Sequence, residues 1–222
     1  MLRFKTFINE GVNDPSIFKA VFLAGGPGSG KSFVVGKTAL PALGFKLINS
    51  DDAFENILKK TDLTFSPEDI MSDEGQAARA KAKILTTKKM KMALDGRMGL
   101  VIDGTGKDLT KIMKQAIELK KLGYDTAMIF VNTDLETAQK RNKMRPRTLP
   151  SSAVTKMWND VQKNIGAFQT FFGSSFNVID NSEGSDYNAQ ANRAYKKIMV
   201  WSKKLPKNTA VQKWIKSQRK QK

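Results

Sequence analysis

Between a compact apolar run, Ala20–Ala24, and a helical stretch opening at Lys31 lies Gly25-Gly26-Pro27-Gly28-Ser29-Gly30-Lys31-Ser32. It matches G-x-x-x-x-G-K-[ST] at every fixed position, and it sits between a strand and a helix, as that motif requires. Glycines let the backbone wrap an anion so that its N–H groups point inward. The N-terminus of the following helix adds a favourable dipole. Lys31 is placed to reach the β- and γ-phosphates of a nucleotide and Ser32 to coordinate Mg2+. ATP and Mg2+ are the cofactors this predicts, with Phe33 completing the nucleotide-binding set. The motif implies nucleotide binding without selecting a reaction, since such loops serve kinases, ATPases and GTPases alike.

Around this loop the 222 residues read as alternating strand and helix. Strands are predicted at Ala20–Ala24, Phe45–Asn49, Gly99–Ile102, Thr126–Val131 and Phe176–Ile179. Helices are predicted at Lys31–Leu40, Asp51–Lys60, Leu109–Leu122, Leu135–Lys143, Ser152–Phe172 and Asp186–Lys204, with one or two more across Pro67–Leu94 after the start signal Ser66. Short apolar strands alternating with helices predict an α/β fold, a five-stranded parallel sheet with helices on both faces. The spacing divides the chain into an N-terminal extension (1–15), a nucleotide-binding domain (16–204) and a basic tail (205–222).

In an open α/β sheet the carboxyl ends of the strands face the ligand crevice. The second strand ends there in Asn49-Ser50-Asp51-Asp52. Asp51 could take the proton of an acceptor hydroxyl or hold a Mg2+-bound water, and one member of the Asp51–Asp52 pair is expected to cap the next helix. The third strand ends in Asp103-Gly104-Thr105-Gly106, where Asp103 is either a Walker-B-type acid or part of an Asp-Gly turn. The chain has no histidine or cysteine, so base chemistry falls to a carboxylate, lysine or tyrosine, and thiol chemistry is excluded. Lys140-Arg141-Asn142-Lys143-Met144-Arg145-Pro146-Arg147 is a basic helix end running into a loop, the pattern of a helical lid. Arg141, with Arg145 and Arg147 behind it, would bring positive charge to a transferring phosphoryl group.

Taken together, GGPGSGKS, NSDD, VIDGTG and QKRNKMRPRTLP resemble the 5′-kinase domain of bacteriophage polynucleotide kinases, over roughly Val21 to Trp158. The resemblance implies a P-loop kinase fold with Asp51 as the general base for a 5′-hydroxyl. It also implies that Asp103 supports the lid arginine and that Arg141 is that arginine. The family commonly carries an arginine three residues after the base, where it contacts nucleic-acid phosphate; this chain has Phe54. The architecture is also similar to the zeta-toxin family, kinases of nucleotide-activated amino sugars. Asp103-Gly104-Thr105 looks like that family's substrate strand, and Lys107 stands near its arginine. The expected function is therefore an ATP- and Mg2+-dependent kinase of a nucleic-acid 5′-hydroxyl. The alternatives are a kinase of a nucleotide or nucleotide sugar, and a basic DNA-binding or packaged head protein that does not turn over.

A net charge of +17, from 38 basic and 21 acidic residues, favours a phosphate-rich partner. Lys203–Lys222 carries eight basic side chains and no acidic one. Within it Ala210–Lys220 reads as an amphipathic helix. Either Trp214 stacks on a base while lysines track phosphates, or the stripe Val211, Trp214, Ile215 docks on the core. No run reaches the length of a membrane span, which with the absence of cysteine fits a host cytoplasm. The opening Met1–Gly11 resembles the targeting peptides of internal head proteins of large tailed phages, with Ile8-Asn9-Glu10-Gly11 as a cleavage sequence. That would place the protein in a capsid.

Overall fold

The computed structural model describes residues 12–37, 40–145 and 148–220; the Met1–Glu10 peptide and Arg147 lie outside them. Five parallel strands form one sheet: β1 (Lys19–Ala24), β2 (Lys46–Ile48), β3 (Leu100–Asp103), β4 (Asp125–Asn132) and β5 (Phe176–Asp180), in the order β2-β3-β1-β4-β5. Every residue of β1 is buried, as are the six central residues of β4. That burial comes from having a core on each face, which is why the centres of these strands read as apolar runs and not as alternating patterns. Val21 and Leu23 of β1 pack with Val34, Ile129, Val131 and Ile198 on one face. Ala20 and Phe22 turn to the other, against Met128, Phe130, Phe168 and Ile215. This is the expected α/β sheet with helices on both sides.

Ten helices surround it among the described residues: α1 (Lys31–Lys37), α2 (Ser50–Leu58), α3 (Pro67–Met71), α4 (Asp73–Asp95), α5 (Leu109–Lys121), α6 (Leu135–Lys143), α7 (Ser151–Gln162), α8 (Ile165–Phe172), α9 (Tyr187–Ser202) and α10 (Thr209–Lys220). No helix among the described residues is long and apolar enough to cross a membrane.

Several boundaries differ from expectation for identifiable reasons. The cap of α2 is Asn49, whose side chain accepts from the Asp51 N–H, so neither Asp51 nor Asp52 serves as the cap. Pro67–Leu94 is two helices because Ser72 ends α3 and caps α4 through the Gly75 N–H. Ser152–Phe172 is also two. The break falls at Lys163–Asn164, where Asn164 turns its amide onto the carbonyls of Gly106 and Lys107, at 2.9 and 3.0 Å. The predicted helix Lys31–Leu40 is α only to Lys37, and Leu40–Leu43 is a 3-10 turn.

The C-terminal helix docks on the core. Val211 and Ile215 join the core cluster containing Phe22. Trp214 meets Phe18 edge-on at 5.9 Å, and the Arg97 guanidinium covers its ring at 4.5 Å. Trp214 is therefore not presented for base stacking. Gly123 leaves the space: a Cβ there would collide with Val211. The approach to α10 is fixed where the Lys207 N–H donates to Asp125 Oδ1 at 3.0 Å. Asp125 also pairs with Lys19 at 2.7 Å at the amino ends of β4 and β1. Burial lowers the pKa of Lys19, with Asp125 opposing that shift and Lys207 and Lys204 adding to it.

Candidate functional site

The phosphate loop leaves β1 at Ala24 and is fastened from several directions. Gly28 has φ of 75°, and a Cβ on it would stand 2.7 Å from the Ala138 carbonyl of α6. Gly30 has φ of 92°, and a Cβ there would strike Asn181. Both positions therefore require glycine for conformation and for space. Asn181, just past β5, donates to the Ser29 carbonyl at 2.7 Å, and the Tyr187 hydroxyl donates to the Gly30 carbonyl at 3.2 Å. Tyr187 also packs on Phe33 with ring centroids 5.1 Å apart.

Lys31 lies across this loop. Its Nζ donates to the carbonyls of Gly25 at 2.6 Å and Gly26 at 3.2 Å. Burial lowers its pKa, the charge of Asp103 opposes that, Arg145 adds to the lowering, and Asp51 opposes it. Asp51, Asp103 and Arg145 are thus all within electrostatic reach of Lys31. Arg141 of α6 bridges the loop to the last strand, donating to the Gly28 carbonyl at 3.3 Å and to Asn181 Oδ1 at 3.4 Å. The family resemblance implies support from Asp103; the hydrogen bonds of Arg141 run to Gly28 and Asn181 instead.

The acidic side of the site is organised by Asn49. Its Nδ2 donates to Asp103 Oδ2 and to Asp52 Oδ1, each at 3.0 Å, while its Oδ1 holds the Asp51 N–H at 2.8 Å. One amide therefore fixes the first turn of α2 relative to the end of β3. Asp103 is strongly perturbed. Burial pushes its pKa up to about 6, Lys31 pulls it down, and Asp52 and Asp51 push it further up. Its second oxygen, Oδ1, is buried without a hydrogen-bond partner. Burial and the charge of Asp51 also raise the pKa of Asp52. Asp51 and Asp52 themselves are exposed on the first turn of α2.

A cavity of about 490 Å³ opens beside Asp103, between α4 and α5. Ile48, Ile102 and Met90 supply apolar wall, Thr86 and Thr105 polar wall, and Lys83, Lys107 and Lys111 three ammonium groups. This size suits one nucleoside-sized group. Thr105 and Lys107, singled out in the sequence, line this cavity, as does Lys83 of α4, which was not. Phe54 is 1% exposed in a core with Leu58, Ile70 and Ala82. The guanidinium over its ring, 4.7 Å from the centroid, comes from Arg79 of α4.

The sequence did not single out Asn142, Asn164, Asn181 and Tyr187. Asn142 exchanges hydrogen bonds in both directions with the Leu149 backbone, at 2.8 and 3.1 Å. Each is an isolated polar residue without a local pattern, and only the folded chain gives it a partner.

The donors fit Mg2+–ATP. The glycine cradle would be filled by any Cβ at 28 or 30, Ser29 Oγ and Asp103 Oδ1 are buried without partners, and Ser32 is exposed at the head of α1. Among the described residues no three acids converge as a metal-ligand cluster. Mg2+ needs none, since it takes one or two protein oxygens and completes its shell with phosphate and water.

Comparison with known proteins places this geometry. No curated protein matches the chain significantly in sequence. Solved structures do. The AvrRxo1-ORF1:-ORF2 complex with ATP matches with a TM-score of 0.59 at 14% identity, covering 88% of this chain and 70% of that one. The PezAT toxin-antitoxin system of Streptococcus pneumoniae matches with 0.53 at 14%, over 90% and 94%. A chain of the Pnkp1/Rnl/Hen1 RNA repair complex matches with 0.52 at 15%, over 82% and 76%. At these identities the likeness is one of fold. Residues 21–167, the stretch carrying the phosphate loop and the aspartates, match the profile of the AAA domain family, and the chain belongs to that family with a P-loop kinase-type fold.

Proposed function

We propose that this protein transfers the γ-phosphoryl group of ATP to a hydroxyl, and that the acceptor is the 5′-hydroxyl end of a nucleic acid. The observation carrying this reading is the cavity beside Asp103. It has the volume of a single terminal nucleoside, and three lysines line it. An apolar wall suits a base, and ammonium groups suit the phosphates that follow.

In this reading the acceptor oxygen attacks the γ-phosphorus, and its proton passes to the Asp51 carboxylate. The bond from the γ-phosphorus to the β–γ bridging oxygen breaks, leaving its electron pair on ADP. Bound Mg2+, held through Ser32, would neutralise charge on the β- and γ-phosphates. Lys31 leaves the Gly25 and Gly26 carbonyls to follow the transferring group, and Arg141, already against Gly28, covers it from the lid. Asn49 positions Asp51 by its hydrogen bond to that residue's N–H.

A second reading, a kinase of a free nucleotide or nucleotide sugar, is favoured by the compactness of the same cavity. Incubation with γ-labelled ATP and Mg2+, offering a 5′-hydroxyl oligonucleotide, a mononucleotide, a UDP-sugar or no acceptor, separates the two. Label on the oligonucleotide supports the proposal. Label confined to the mononucleotide or UDP-sugar replaces it with the second reading, and label on none removes both.

A further inference from the structure

The cavity beside Asp103 is not closed at its far end. Thr87 and Met90 line it, and they also line a second cavity of about 650 Å³ whose other walls include Phe18, Lys91, Leu94, Arg97, Leu122 and Tyr124. The two are therefore successive parts of one groove between α4 and α5. It starts at the carboxyl end of β3 and ends beside Phe18, next to the amino end of β1. There Arg97 covers Trp214 of α10. Through Arg97 the docked tail lies beside the far end of a groove whose near end is the candidate transfer site.

The chemistry of this groove is consistent along its length. Its floor is apolar, with Met90, Leu94 and Leu122. Cations follow its course: Lys83 and Lys111 near Asp103, Lys91 midway, Arg97 at the end, then Lys213, Lys216 and Lys220 on the exposed face of α10. Lys213, Lys216 and Lys220 recur at i, i+3 and i+7, opposite the buried Val211 and Ile215. The acids lining it are Asp103 at the near end, Asp108, which caps α5, and Asp95, which pairs with Lys91 at 2.7 Å. The apolar face of α10 is buried in the core, so the helix offers cations without a wedge for lipid. At this end of the groove Trp214 is covered by Arg97, and Phe18 and Tyr124 are buried.

We propose that the α4–α5 groove and the exposed face of α10 form a track for single-stranded nucleic acid running away from the transfer site. Bases lie on the apolar floor and phosphates on the cations, so binding tolerates sequence. The track rests on the 5′-hydroxyl kinase reading for its direction, with the 5′ end at Asp103, but not for its existence. α5 has 13 residues, so at 1.5 Å per residue the groove beside it runs about 20 Å. At 3.4 Å per stacked nucleotide that accommodates on the order of six nucleotides before α10.

The test is fluorescence anisotropy without ATP, using labelled oligothymidylates of 2 and 12 nucleotides against the full chain and against a variant combining Arg97→Gln, Lys213→Gln and Lys216→Gln. The expected result is at least tenfold tighter binding of the 12-mer than the dimer, and a loss of at least tenfold of 12-mer affinity in the variant. The slope of log affinity against log salt should fall by about 2, at roughly 0.7 for each phosphate that is no longer neutralised. Far-ultraviolet circular dichroism and the denaturant midpoint, compared with wild type, check that the variant stays folded with α10 in place. Equal affinity for the two lengths, or a folded variant with unchanged affinity and salt slope, overturns the track. Length-dependent binding that needs these residues, without phosphorylation of the 12-mer, keeps the track and removes the kinase reading.

Discussion

Replacing Asp103 with asparagine should stabilise the nucleotide-free protein at pH 7.5 while removing a carboxylate from the candidate site. Burial holds the Asp103 pKa at about 6 against 3.8 for the free side chain. A group with a raised folded pKa contributes its full stability below the unfolded value and loses it as pH rises through the folded one. The wild type therefore forfeits this contribution between pH 4 and 6. About two units at 1.36 kcal/mol each make that loss roughly 3 kcal/mol at neutral pH. Asparagine is nearly isosteric, and its carbonyl can still accept the Asn49 amide that now reaches Asp103 Oδ2 at 3.0 Å. Urea unfolding of both proteins at pH 4, 5.5 and 7.5 reads the effect. The gap should be near zero at pH 4 and on the order of 3 kcal/mol at pH 7.5, where it should raise the melting temperature by roughly 6–12 °C. A variant no more stable than wild type at pH 7.5, or equally more stable at every pH, would refute the reasoning.

Other expected outcomes follow from the same contacts. Lys31→Ala should abolish ATP turnover, checked by ADP release, because the ammonium now held on Gly25 and Gly26 is the one that would follow the phosphoryl group. Arg141→Lys should lower kcat by roughly a hundredfold or more, since an ammonium cannot reach the Gly28 carbonyl and Asn181 Oδ1 together as the guanidinium does. Ile215→Ala should cost about 2–5 kcal/mol in denaturant unfolding, because Ile215 is fully buried and fixes α10 to the core. A loss below about 1 kcal/mol would mean the tail helix does not stay docked in solution.

The sequence made the loop, the strands and the acids at their ends legible because each carries its information locally. Gly30 is a glycine for a reason the motif records, and the centres of β1 and β4 are apolar because both their faces are covered. What escaped was set by distant parts of the chain. Asn164 breaks a helical pattern only because the carbonyls of Gly106 and Lys107 wait for its amide. Asn181 and Tyr187 acquire a role only once β5 and α9 bring them to the loop. The tail showed its amphipathic stripe but not which surface would cover it; that was decided by Gly123 and Phe18, far away in sequence. Phe54 read as a missing arginine, and the structure makes it core, with Arg79 delivered over it from α4.

The central claim is transfer to a hydroxyl with Asp51 as base. Its most direct measurement is the initial rate of γ-label transfer from ATP to a 5′-hydroxyl 12-mer, for the wild type and Asp51→Asn, with ATP affinity measured in parallel. Asp51 is exposed at the head of α2, so the substitution should leave the fold and ATP binding intact. The account predicts label at the 5′ end with the wild type, and a loss of at least a hundredfold with Asp51→Asn at near-normal ATP affinity. Near-normal transfer by Asp51→Asn would contradict the assignment of the base, and no 5′ label from the wild type would contradict the acceptor.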